Sequence, residues 1–253
     1  MDDVFVAKDS IVREIWGKAD TVLFIFAGAA AEFALNKAVD WLYFTGRLPA
    51  DPLGRLFSTV AYARQIIFAK KDDALKAIDQ ITAIHRSVEK NRGTNIPDWA
   101  YRDVLFLLID YSIRSFELLE RELTPEEKEE IFMVFGSVGT RMQLKGLPAN
   151  FAEWVTMRDG HLESDLVRSD FTDDLYQQYK KHLGTLRYRL VLQVQLTLAP
   201  PQVSRLLDLE KEIWFAPILK LYKFSRLFKA DGLLKGALLP NEYKAQIMAL
   251  DAN

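Results

Sequence analysis

Apolar residues recur at helical spacing along almost the whole chain, and strand-like alternation is nowhere sustained. The most apolar window, TVLFIFAGAAA at 21–31, stops at Glu32 and continues into FALNKAVDWLYF, which predicts a long buried helix bent at Gly28. Interrupted by Glu32, Lys37 and Asp40, it falls short of the roughly 20 apolar residues of a membrane span. Gly and Pro sit between periodic segments rather than inside them. GRLPADP closes the first long helix, and Asp51 followed by Pro52 opens a second that runs to about residue 69. AKKDD then turns into a helix over 72–90, and NRGTNIPD separates that from one starting at Trp99. Thr124, Pro125 and Glu127 have the cap, first-turn proline and capping-box acid of a helix start. Further helices are expected at 150–160, 172–182 and 185–198, and APPQ at 199–202 precedes two more before residue 250. About ten helices and no sheet predict one all-α domain over 1–253, with 200–250 as peripheral C-terminal helices.

One polar residue interrupts this pattern. In the 72–90 helix, Ala74, Leu75, Ala77, Ile78, Ile81, Ile84 and Val88 share about half of the helical wheel, at about 100° per residue, and His85 falls near the centre of that arc. An imidazole there needs a buried hydrogen bond, a metal or a cofactor iron, and the residues alone leave the three open. In the preceding helix, Arg55, Thr59, Tyr62 and Ile66 form a stripe beside the apolar face of Leu53, Val60, Ala63 and Ile67. An arginine and a hydroxyl at the margin of a core suit propionates or a polarised oxygen. They also suit an edge arginine that covers the core with its stem.

Composition removes several chemistries. With 33 Lys and Arg against 35 Asp and Glu, the chain offers no electrostatic reason to bind nucleic acid. It has no cysteine, so disulfides, zinc thiolates, iron–sulfur clusters and cysteine nucleophiles are out. Its three histidines are not preceded by Glu at i−3, which excludes the helical di-iron pattern, and no HExxH, GxSxG or P-loop occurs. His161, in RDGHLESD, and His182, in YKKHLG, read as solvated. Asp110 reads as a solvated i, i+4 partner of Arg114. The acidic start MDDVFVAKDS lacks the features of a secretory signal, so a cytoplasmic location is expected. Near the end, Lys220, Lys223, Arg226 and Lys229 interleave with Trp214, Phe215, Leu219, Leu227 and Phe228, a basic amphipathic pattern compatible with an anionic membrane surface or with packing on the core.

The order GKADTVLFIFAGAAAEFALNKAVDW, DPLGRLFSTVAYARQIIF, ITAIHRSV and LTPEEKEEIF resembles the MpaB-type and rubber oxygenase (latex clearing protein) superfamily, best over residues 10–160. Its most specific pieces are Arg-x-x-x-Thr in RLFST and His-x-x-Val in HRSV. The resemblance implies a globin-like core and a haem b whose iron His85 ligates from the proximal side. Arg55 and Thr59 match the polar pair near the haem, and Tyr62 joins the cofactor-binding set. The implied reaction is oxidation of an isoprenoid- or lipid-like small molecule with O2. Departures accompany it: Ser58 stands where rubber-cleaving members offer a lysine, Leu108 and Asp110 stand where a Trp-x-His is frequent, and AGAAAE replaces a GPRA turn. The alternative is a haem-free helical binding or scaffold protein that keeps an apolar cavity.

Overall fold

A computed structural model describes residues 3–46, 50–210 and 212–227, the side chains of Leu56, Phe57 and Leu227 excepted. Among the described residues, eleven helices follow one another: α1 (Ile11–Trp16), α2 (Ala19–Phe33), α3 (Asp40–Phe44), α4 (Pro52–Phe68), α5 (Lys71–Arg92), α6 (Asp98–Leu119), α7 (Pro125–Arg141), α8 (Phe151–Ser164), α9 (Asp170–Leu198), α10 (Pro201–Leu207) and α11 (Phe215–Leu227). No strand occurs among them, and only the isolated bridges Val4–Lys70 and Asn36–Leu166 pair backbone in β fashion. The fold is a single all-α domain, and no helix among the described residues is long and apolar enough to cross a membrane.

The caps read from the sequence are formed. Asp51 accepts from the Gly54 N–H at 2.8 Å, and Thr124 and Glu127 close a reciprocal capping box at the start of α7. Between α4 and α5 only Ala69 and Lys70 intervene, a link short enough to force an antiparallel hairpin. Arg55 lies 13 residues before the end of α4 and His85 lies 14 after the start of α5, so the hairpin sets them level. Gly93, left-handed at φ 74°, ends α5 with its N–H on the Glu89 carbonyl. A left-handed Gly184, φ 72°, bends α9 between the two segments that the sequence separates.

α2 is apolar on nearly every side because it runs through the centre, packed on α6 and α9. Trp16, Val22, Ile25, Phe26, Phe106, Ile109, Phe116 and Ile131 fill the main core around it. Gly28 causes no break, and α2 runs through it without interruption. It is there for close approach: a Cβ at that position would lie 2.3 Å from Cδ1 of Tyr111, whose ring is fully buried. Where α2 ends, its exit is clasped by the segment after α8, with Val167 N–H on the Leu35 carbonyl at 2.7 Å and Lys37 N–H on the Asp165 carbonyl at 2.9 Å.

The C-terminal helix departs from the membrane-surface pattern. Lys223 and Arg226 turn inward, onto the carbonyls of Leu118 and Leu119 at the C-terminus of α6, where the helix dipole favours cations. Arg226 also pairs with Asp20 at 2.7 Å. It is Ile218, Leu221 and Phe224 that are exposed, while Phe228 and Lys229 lie outside the described residues.

Gly28→Ala should destabilise the fold by about 1–3 kcal/mol, because the Tyr111 ring is walled in and cannot retreat. Gly136→Ala, in the interior of α7 with nothing within 4 Å of the new methyl, should be neutral or stabilising by up to about 1 kcal/mol. Urea unfolding of both variants checks the pair, and equal effects would disprove the close-approach role of Gly28.

Candidate functional site

The α4–α5 hairpin brings together most of the residues singled out by sequence. Arg55 Nη1 donates to Thr59 Oγ1 at 2.7 Å, one turn along α4, and the Thr59 hydroxyl donates to the Arg55 carbonyl at 3.1 Å. His85 faces this pair closely enough to feel the arginine's charge. Burial first, and that charge second, push the imidazole below its ordinary pKa, with Glu89 opposing, so the ring is neutral near pH 7. Its buried Nδ1 has no hydrogen-bond partner. Tyr101 of α6 meets the His85 ring edge to face at 5.2 Å and donates its hydroxyl to Glu89 at 3.1 Å. Ser58 is exposed and returns its hydroxyl to the Arg55 carbonyl at 2.7 Å, so it adds no ligand to the group. Tyr62 is half-buried in the same stripe.

A second polar group lies deeper, where the end of α2 meets α6 and α8. Glu32 is fully buried. It receives Arg158 Nη1 on Oε1, and on Oε2 both Arg158 Nη2 at 2.6 Å and the Tyr111 hydroxyl at 3.1 Å. Arg158 also donates from Nε and Nη2 to Asp110 Oδ2, at 3.1 and 2.8 Å. Asp110 Oδ1 takes Arg114 Nε at 2.7 Å. His161, one turn beyond Arg158 on α8, sets Nε2 2.7 Å from Glu32 Oε1 and Nδ1 2.9 Å from Asp103 Oδ1. Asn36 donates to the other Asp103 oxygen at 3.0 Å. Asp103 and Asp110 are seven residues apart, two turns along one face of α6, and Arg158 and His161 are three apart on one face of α8.

Pairing, not solvent, keeps these charges. Burial acts to raise the Glu32 pKa, but the charge and hydrogen bonds of Arg158, with help from His161, hold it down at about 2. Burial acts to lower that of His161, and the close carboxylates of Asp103 and Glu32 outweigh it, lifting the imidazole to about 9. Desolvation pushes the Tyr111 phenol well above its usual value, which keeps it a donor.

Two expectations are thereby corrected. His161 is no solvated loop residue: α8 runs past residue 160, and the ring is 4% exposed. Asp110 does pair with Arg114 at i, i+4, but it is buried and shared with Arg158. His182, on α9, is half-buried. Glu32, Asp103, Arg158 and Tyr101 were not recognised from sequence. The available signals were an acid closing an eleven-residue apolar run, and two acids at i, i+7 in an otherwise oily helix. A groove of about 640 Å³ lies between residues 5–7 and α7 and is lined by none of His85, Arg55 or Thr59.

Over residues 15–228 the sequence matches the family described as ER-bound oxygenase mpaB/B'/Rubber oxygenase, catalytic domain. The chain belongs to that family and is an oxygenase-type catalytic domain. No curated protein and no solved structure matches it.

A group whose pKa rises on folding stabilises the fold fully below its unfolded value, and the contribution is lost as pH climbs through the folded one. For His161 that window runs from 6.5 to about 9. With chelator present, stability against urea should therefore fall across it by about 3 kcal/mol, at about 1.4 kcal/mol per pKa unit. The slope should vanish in His161→Gln, and a flat wild-type profile would contradict the paired imidazolium.

Proposed function

We propose that this oxygenase-family domain uses haem b to oxidise a hydrophobic, isoprenoid- or lipid-like small molecule with O2, with His85 as the axial ligand of the iron. The observation that carries the reading is the neutral, half-buried imidazole whose buried Nδ1 has no hydrogen-bond partner, within reach of the charge of Arg55 in the Arg55–Thr59 pair. A neutral imidazole is the form that binds a metal, and an unpaired buried nitrogen is a cost that a ligand bond would offset. The donor set thus fits the group that the family resemblance implies. When bound, the haem would supply the one-electron and O2 chemistry that side chains lack.

The chain's own residues supply orientation and polarity. Glu89 holds the Tyr101 hydroxyl, and the Tyr101 ring buttresses His85, which limits rotation of the imidazole. Arg55 keeps its cation on the site because Thr59 fixes its Nη1, and a guanidinium there suits a propionate or a developing negative charge. Ile78 is buried and Ile81 is half-buried, two turns and one turn before His85 on α5, and they give an aliphatic wall suited to a porphyrin or an apolar substrate. With Ser58 bonded to its own helix, that position would offer the haem no second protein ligand.

Titration of the purified chain with hemin should give a saturable Soret shift. His85→Ala should weaken hemin binding by more than about 100-fold, beyond the 10–100-fold cost of losing an outer-shell partner, with the far-ultraviolet circular dichroism unchanged. Arg55→Leu should retain the helices and weaken haem retention or O2 consumption about tenfold. A colourless protein with no Soret shift, or an unchanged Soret band in His85→Ala, would overturn the reading in favour of a haem-free helical binding protein.

A further inference from the structure

Among the buried charges, one atom has distance but no direction. His161 Nδ1 lies 2.9 Å from Asp103 Oδ1 and 3.5 Å from Asp165 Oδ2, yet it makes no hydrogen bond to either. The oxygens sit off the line along which a ring N–H points, so the contact is one of charge and position only. The same ring is fixed on its other side, where Nε2 meets Glu32 at 2.7 Å. Nδ1, an Asp103 oxygen and an Asp165 oxygen all lie within 4.8 Å of one another.

We propose that His161 Nδ1, Asp103 and Asp165 form a binding site for one divalent first-row transition-metal ion, with Glu32 and Arg158 as its outer shell. Ligand atoms each about 2.1 Å from an ion and 2.9 Å from one another subtend close to 90°, the angle between neighbouring positions of an octahedron. The three ligand atoms lie within 4.8 Å of one another, about 0.6 Å more than twice that bond length at most, so modest side-chain movements close the site. One imidazole with two carboxylates suits ions from Mn2+ to Zn2+ better than Mg2+ or Ca2+.

The surroundings have the form that a metal site requires. A metal-bound histidine ordinarily gives its second nitrogen to a carboxylate, which fixes the ring and its tautomer. Glu32 stands there, itself held by the fork of Arg158. Asn36 engages Asp103 Oδ2 and leaves Oδ1 to the centre. Glu32, Asp103, Asp110 and Asp165 carry four formal negative charges against two on Arg158 and Arg114, and a divalent ion balances the remaining two. On binding it takes the place of the Nδ1 proton, which leaves to solvent. His161 and Asp103 are sealed from water, but the Asp165 side chain is 26% exposed and gives an ion its route in. The site does not depend on the haem reading. Tyr101 touches His85, whereas Asp103, about 200° further round α6, touches His161.

The full chain, free of haem and dialysed against EDTA, is titrated with CoCl2 while the visible d–d absorption and the melting temperature are followed. One equivalent should bind and raise the melting temperature. His161→Gln should abolish binding, and Asp165→Asn, at the exposed edge where the fold is least at risk, should weaken it more than about tenfold with unchanged circular dichroism. His182→Gln should bind like wild type. Absence of one-to-one binding by wild type, or unaltered affinity in Asp165→Asn, would overturn the proposal. So would binding lost in His85→Ala and kept in His161→Gln. Since no hemin is present, failure here leaves the Soret test of His85 unaffected, and the reverse holds as well.

Discussion

The interior of this protein depends on the ion pair between Glu32 and Arg158. Taking either charge out of water alone costs several kcal/mol, and the mutual attraction offsets that only where every oxygen and N–H is also used. Here nearly all are used. The guanidinium fork spans Glu32 and Asp110, Tyr111 takes one remaining Glu32 lone pair, and His161 takes another. Because the partners come from α2, α6 and α8, the pair acts as a register pin: sliding any of the three helices by one residue would strand a buried charge. Apolar packing alone would tolerate several such registers.

Packing and polarity are tied at Tyr111. Its ring can press against α2 only because Gly28 has no side chain, and that close approach is what carries the hydroxyl to Glu32. The backbone clasp between Leu35 and Val167 then places Asn36 and Asp165 on either side of the same network. A small residue, a phenol and a pair of backbone hydrogen bonds together set where the charges meet.

His85 and His161 show how environment divides one side chain into two chemistries. His85 meets an arginine and an aromatic ring, loses solvent, and is neutral with a nitrogen to spare. His161 meets two carboxylates and is cationic when no metal is present. α6 separates them, showing Tyr101 to the first and Asp103 to the second. Membership of an oxygenase family supports the proposal that the first setting holds the cofactor.

The helices, their caps and the fold class were legible in the sequence, because apolar periodicity, Asp51–Pro52 and the Thr124–Glu127 box act within a few residues of one another. The Arg55–Thr59 pair was legible for the same reason, being one turn of one helix, and His85 stood out as the polar residue in an apolar arc. Glu32, Arg158 and His161 were not, since each looks like an ordinary surface residue until a partner 48 to 129 positions away is brought against it. Likewise, the spacing of Lys223 and Arg226 left a membrane surface and packing on the core both open, and only the nearness of the α6 carbonyls turned them inward. Local spacing encodes what a segment becomes. Which buried charge finds which partner is decided by how the helices stack, and that information lies in no single stretch of the chain.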